Sequence, residues 1–366
     1  MIEKEKISAY QMALMIYPTI LATAILMVPA ITGKYAERDM WISPILGSLN
    51  GFFTAFILYQ LHKIYPKESI IQYSRHIIGP ILGKILGFVY LFFFLQTGGI
   101  VLREYAIFIS ISFLPKTPPT SVIIGSIVLV CAFAVRGGLE VLGRAAQLFV
   151  PIFIFLIPMT LILLLKDLDP KNMVPIMEHG LMPSILGAAT PQAWFSEVFF
   201  ISMMLPFLTD REKGMKWSMI TVLTIMFSLV SLNLLAVFLF GETANSYIFP
   251  IFTAIRYISI ASFFEHLESF IIVIWVLGAF IKISVFYYAL VLGTTQWLHL
   301  SDYRPLVFSL GFLLVLFGKW GFFNLQQMTE WLGTIYPFYA TFLLTLIPMV
   351  LLFIAMIRKR ISQKRG

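Results

Sequence analysis

Apolar runs about twenty residues long recur along the whole chain, and no other feature limits its fold so severely. As a helix, a run of that length crosses the ~30 Å hydrocarbon core of a bilayer. In lipid the backbone must satisfy its own N–H and C=O groups, which only helices and closed barrels do. These runs lack the polar–apolar alternation of barrel strands, so the chain reads as an all-α integral membrane protein. Composition agrees: 59% of the 366 residues are hydrophobic and 12% charged, about half the charged fraction of a soluble domain, and mean hydropathy is +0.90. A net charge of +8 would point to nucleic acid in a soluble protein, but here the basic residues stand at the ends of apolar runs, where they act as topology signals. Lipid, not nucleic acid, is the expected surrounding. The one cysteine, Cys131, lies in an apolar run, offers neither an internal disulfide nor a metal cluster, and reads as core.

Ten spans are expected, near residues 9–31, 41–62, 82–113, 120–135, 144–166, 184–208, 216–240, 268–292, 304–322 and 331–357, in a single transmembrane domain with a basic tail at 358–366. The first run contains Ala22-Thr23-Ala24, which resembles a signal-peptidase site, yet apolar sequence continues to Ile31, so an uncleaved first span is expected. Residues 243–267 are apolar but interrupted by Pro250, Arg256, Glu265 and His266, and read as a re-entrant or surface helix pair. With the N-terminus inside, the inner ends hold Lys4, Lys6, Lys63, Lys67, Arg75, Lys84, Arg136, Arg144, Arg211, Lys213, Lys216, Arg304, Arg358, Lys359, Arg360, Lys364 and Arg365. The outer side holds Lys34, Arg38, Lys116, Lys166, Lys171 and Arg256. That asymmetry predicts that both termini are cytoplasmic.

An even count permits two five-span halves, about 9–166 and 184–357, and inverted halves would make spans 1 and 6 equivalent. Both carry helix-breaking chemistry. Span 1 has Pro18, Ala22-Thr23-Ala24 and Pro29; span 6 has Gly187-Ala188-Ala189-Thr190-Pro191 and Pro206. Proline removes an amide donor and clashes with the preceding turn, so a break near mid-depth is predicted in each.

An ionisable residue at the bilayer centre costs about 3 kcal/mol on insertion scales and so needs a partner or a role. Arg103 and Glu104 are neighbours pointing about 100° apart on a helix, which sends them to different partners. Glu104 shares a face with Val101 and Thr97, and Thr97-Gly98-Gly99 offers small residues where a backbone or a ligand comes close. Glu197 either anchors a half-helix after the break in span 6 or holds a proton. Lys282, mid-span, either pairs with a carboxylate such as Glu197 or supplies a fixed cation in place of a coupling sodium ion. Trp194 and Trp275 read as packing or interfacial aromatics. Enzyme signatures are missing: neither His179 nor His266 belongs to an HExxH pair, and there is no Gly-Lys-Ser/Thr phosphate loop and no GxSxG. No catalytic residue, metal or cofactor is expected.

Several local motifs then match a known pattern. Val101-Leu102-Arg103-Glu104-Tyr105 with Phe113-Leu114-Pro115-Lys116-Thr117-Pro118, the run Arg136 to Arg144, Trp194-Phe195-Ser196-Glu197, and Glu268-Ser269 with Trp275 and Lys282 follow one another in an order and spacing that resembles the spore germination receptor B-subunit family (GerAB-type). The resemblance implies membership of the amino acid–polyamine–organocation transporter superfamily, with a five-plus-five inverted-repeat (LeuT-like) fold of about ten transmembrane helices and discontinuous spans 1 and 6. It also implies a place in the spore inner membrane beside receptor A and C subunits, and recognition of a nutrient, often an amino acid; the same fold equally serves an amino-acid permease working by alternating access. A zwitterionic ligand would then sit between Ala22, Thr23 and Ala24 of span 1 and Thr190, Gln192 and Ala193 of span 6. Thr97, Gly98, Val101, Ser284 and Tyr288 would be its walls.

Overall fold

The computed structural model describes residues 5–112, 114, 116, 122–258, 267–322 and 324–365, with the backbone alone for 267–272 and 360–365. The helices in chain order are α1 (Ala9–Ala36), α2 (Ile42–Ile64), α3 (Ile70–Ile78), α4 (Pro80–Ser112), α5 (Ile124–Gly137), α6 (Leu139–Leu164), α7 (Met182–Ser196) and α8 (Ile201–Met204). After these come α9 (Gly214–Phe240), α10 (Pro250–Arg256), α11 (Leu267–Leu298), α12 (Leu306–Trp320), α13 (Leu325–Thr334), α14 (Tyr336–Thr341) and α15 (Ile347–Arg365). No strand longer than an isolated bridge occurs among the described residues.

Seven helical segments are long and apolar enough to cross a membrane, or eight if α12 and α13, bent by 101°, count as one. The ten expected spans exceed that number for a geometric reason. At 1.5 Å per residue, α5 with 14 residues and α7 and α12 with 15 each fall short of the hydrocarbon thickness on their own. Each still coincides with an expected span. The 33 residues of α4 reach beyond that thickness. Within 243–267 the structure gives a 3₁₀ segment ending at Ser246 and the short α10; the second helix expected there lies outside the described residues.

The predicted break in span 1 is absent. α1 runs unbroken through Pro18, Ala22-Thr23-Ala24 and Pro29. Each proline removes one amide bond, to Leu14 or Ile25 by the i−4 rule, yet the helix continues through both. α1 packs against α6, α7, α9 and α11, and its most apolar 18-residue stretch is buried throughout. Span 6 is interrupted, at Glu197–Phe207 and including Pro206, but not at Gly187–Pro191. α7 passes through it, and irregularity begins six residues after Pro191, where 3₁₀ turns at Glu197–Phe200 and Leu205–Phe207 flank α8. The small residues serve packing instead. A Cβ on Gly187 would lie 2.7 Å from Ser43 Oγ, and one on Gly47 would lie 2.8 Å from the Gln192 amide, so α2 and α7 touch nearly backbone to backbone.

One end of the bundle gathers both chain ends. The Ile7 amide donates to Phe207 O (3.2 Å), the Thr209 amide to Ile7 O (2.9 Å), the Ala9 amide to Asp210 Oδ1 (2.7 Å) and the Glu140 amide to Glu5 Oε2 (2.9 Å). At that same end Tyr59 bonds Arg211 O and Arg358 bonds His76 O. The opposite end is tied by Arg38 to Glu242 and Val174 and by Asp39 to the Met177 amide.

Candidate functional site

The bundle core holds a sealed charge cluster. α7 gives way to a tighter 3₁₀ turn at Glu197, and the Glu197 carboxylate is 1% exposed. Its Oε2 accepts from Lys282 Nζ of α11 at 2.7 Å, and its Oε1 accepts from the Tyr336 hydroxyl at the start of α14, also at 2.7 Å. Lys282 is fully buried and its ammonium lies 5.4 Å from the Phe286 ring centre, one helical turn on. Of the two roles open to Lys282, the structure shows the ion pair. Glu104 of α4 is also buried, lies within Coulombic range of both Lys282 and Glu197, and leaves Oε1 without a hydrogen-bond partner. Lys282 is in ion-pair contact with Glu197, and Glu104 stands beside that pair as a second buried carboxyl group.

Aromatic donors fasten α1 to this cluster. Trp194 Nε1 donates to Thr23 Oγ1 (2.9 Å) and its ring meets Tyr336 edge-on at 5.3 Å. The Tyr105 hydroxyl, next in sequence to Glu104, donates to Ala22 O (2.7 Å). Trp275 packs edge-on against Phe108. Thr97, on the Glu104 face of α4, is 3% exposed with an unpartnered hydroxyl. Behind α7 lies a second polar group: Asn50 Nδ2 donates to Ser196 Oγ (2.7 Å), and Thr54 and Thr345 share a hydrogen bond of 2.7 Å. Thr345 lies in a π turn, Phe342–Leu346, a helix defect common at functional sites.

The expected site residues divide by helix face. Ala22, Thr23, Ala24, Thr97, Val101, Thr190 and Ala193 are all at most 4% exposed, on the helices whose bonds converge on the charge cluster. Gly98 faces Leu314 and Phe286 instead, because it sits 100° around α4 from Thr97. Gln192 is half-buried and its carbonyl accepts from Asn50 and Ser196. Ser284 and Tyr288 share a face of α11 about 200° from Lys282; Ser284 lies against Cys131 and Tyr288 against Tyr303. Sequence reading passed over Tyr336, Tyr105 and the Asn50–Thr345 group. Asn50 and Thr54, four apart in an apolar span, were a readable signal; Tyr336 gave none.

A sequence profile described as "Spore germination protein" matches residues 6–328. The chain belongs to this spore germination protein family. Spore germination protein KB of Bacillus subtilis (strain 168) is 29% identical over 316 residues, covering 84% of this chain and 83% of that protein. Spore germination protein YndE of the same organism is 26% identical over 360 residues, covering 97% and 98%. Spore germination protein XB of Bacillus anthracis is 25% identical over 284 residues, covering 76% and 78%. Within this family the buried Glu104–Glu197–Lys282–Tyr336 cluster is the feature to explain, in a multi-pass membrane protein of a bacterial or spore membrane.

Proposed function

We propose that the chain is the nutrient-sensing subunit of a spore germinant receptor and that a small zwitterion, an amino acid, binds beside the charge cluster. The observation that carries this is the second buried carboxyl group. Glu104 Oε1, buried and unpartnered, is placed for an ammonium group, and the buried Thr97 hydroxyl on the same helix face adds a polar contact. Ala22, Thr23 and Ala24 of α1 and Thr190 and Ala193 of α7 form the other side, with Val101 as an apolar wall; Gly98, Gln192, Ser284 and Tyr288 set its shape from behind. Because these positions are sealed, occupancy requires α1 and α7 to separate, and that movement is the signal passed to receptor A and C subunits. Ten crossings in a five-plus-five arrangement, with both termini cytoplasmic, complete the reading. Lys63, Arg75, Arg136, Arg144, Arg211, Lys213 and Arg358 all fall at the end where the chain termini meet, in line with the positive-inside rule.

The test is a nutrient dose–response on spores in which this chain carries Glu104→Gln or Thr97→Val. Each variant is expected to need at least tenfold more amino acid, or to stop responding, while accumulating as wild type. Unchanged curves for both would place the ligand on another subunit. Sustained uptake of labelled amino acid by the purified chain in liposomes would make it a permease.

A further inference from the structure

A polar cavity of about 400 Å³ opens away from the charge cluster, at the end of the bundle where the chain termini meet. Glu68, Gln72, Arg75, His76, Gln296 and His299 line it, drawn from α3, the turn before it and the end of α11. α3 is strongly amphipathic: Ile70, Ile71, Tyr73 and Ile77 are buried, while Gln72, Arg75 and His76 turn to the cavity. Gln296, 6% exposed, forms the floor and accepts from Ser69 Oγ at 2.5 Å. His299 sits at φ 60°, a backbone region that residues with side chains rarely adopt, and in that pose its ring meets the Arg75 guanidinium. Glu68 Oε1 lies 3.2 Å from His76 Nε2. Among the described residues neither Arg75 nor Arg358, which bonds the His76 carbonyl from α15, has a carboxylate partner.

What adjoins this cavity identifies the occupant. From its rim at Pro80, α4 presents Ile81, Leu82, Ile85 and Phe88, between 55% and 75% exposed, with Ile81, Ile85 and Phe88 on one face at steps of four and three. Lys84 stands between them, 5.1 Å from the centre of the Trp297 ring, and Trp297 Nε1 is bonded to the Lys84 carbonyl. An apolar stripe that ends in a polar cavity bearing the Arg75 guanidinium, flanked by tryptophan and lysine, matches one molecule in two parts, an acyl chain and an anionic headgroup. We propose that this cavity binds the phosphate headgroup of an anionic phospholipid, held by Arg75 and His299, with an acyl chain laid along Ile81, Ile85 and Phe88. The site is independent of the nutrient site, although α11 carries both Gln296, its floor, and Lys282.

The experiment compares the purified full chain with Arg75→Gln/His299→Gln, each reconstituted in phosphatidylcholine vesicles with and without phosphatidylglycerol. The wild type is expected to unfold several degrees higher when phosphatidylglycerol is present and to retain it through detergent exchange, seen by native mass spectrometry. The double variant is expected to lose at least three-quarters of both effects while matching the wild type in phosphatidylcholine alone, which shows that it is folded. Ile81→Asn/Ile85→Asn, with the basic cavity intact, should also retain less lipid. Equal retention by wild type and the Arg75/His299 variant overturns the proposal. So does an equal thermal shift from inorganic phosphate alone, which would make the site one for a soluble anion.

Discussion

Glu197 accepts from two side chains on two different helices, so its neighbours cannot be removed with equal effect. Lys282→Ala strands a buried carboxylate and is expected to cost about 3–5 kcal/mol, read as a lower unfolding temperature in detergent and reduced accumulation in spores. Tyr336→Phe removes one hydrogen bond to a charged acceptor and should cost about 1.5–3 kcal/mol. Replacing the pair together, Glu197→Gln with Lys282→Met, should recover most of the stability and none of the nutrient response. If Lys282→Ala unfolds at the wild-type temperature, the ion pair is not formed in the membrane. The ionisable members Glu104, Glu197 and Lys282 were legible in the sequence, because a charge in an apolar run demands a reason. Tyr336 was not, since a tyrosine among aromatics near a helix end has many harmless explanations, and its position depends on the turn between α13 and α14. The split of Thr97 from Gly98, and of Lys282 from Ser284, was in principle calculable from helical geometry; which face met which neighbour was not.

Helices here are joined through glycine, and the contact rather than the residue type decides what a methyl group does. Gly99 faces α12 so closely that a Cβ would lie 2.7 Å from Phe317 Cβ and 2.9 Å from its carbonyl carbon. Gly99→Ala should push α4 off α12 and cost about 1–3 kcal/mol. Gly125, in α5, has nothing within 4 Å of the same hypothetical atom, and Gly125→Ala should stabilise by about 0.5–1 kcal/mol through helix propensity. Thermal unfolding of the two variants side by side separates them; a loss of stability at both positions would refute the packing account. The same distinction explains where reading the fold from sequence succeeded and failed. Hydropathy located every described helix that carries the site. Proline and glycine in spans 1 and 6 were read as breaks, whereas α1 is one continuous helix, span 6 gives way only from Glu197 to Phe207, and the glycines of α2 and α7 are there for close approach. A local motif states what the backbone can do; the surrounding helices decide whether it does.

At the scale of the molecule, the proposed orientation is open to direct test. Cys131 is buried, so a cysteine introduced at exposed Lys171 should react with an impermeant thiol reagent from outside, and one at exposed Lys213 only from inside. The reverse pattern would invert the protein. The N-terminal segment has a further consequence, for synthesis. α1 precedes in the chain every helix it packs against and is the most completely enclosed of the candidate spans. Tyr17 bonds Ser228 at 2.8 Å, the Ile7 backbone bonds Phe207 and Thr209, and Thr23 awaits Trp194. Each partner lies well over a hundred residues downstream, so for most of translation α1 stands in lipid with hydroxyls and carbonyls unmatched. Long-range closure of this kind is slow and comes late. A nascent chain arrested before α9 should therefore be recognised as unfinished and degraded, however apolar its spans, and the step that commits the protein to its native state is the return of residues 205–240 to α1.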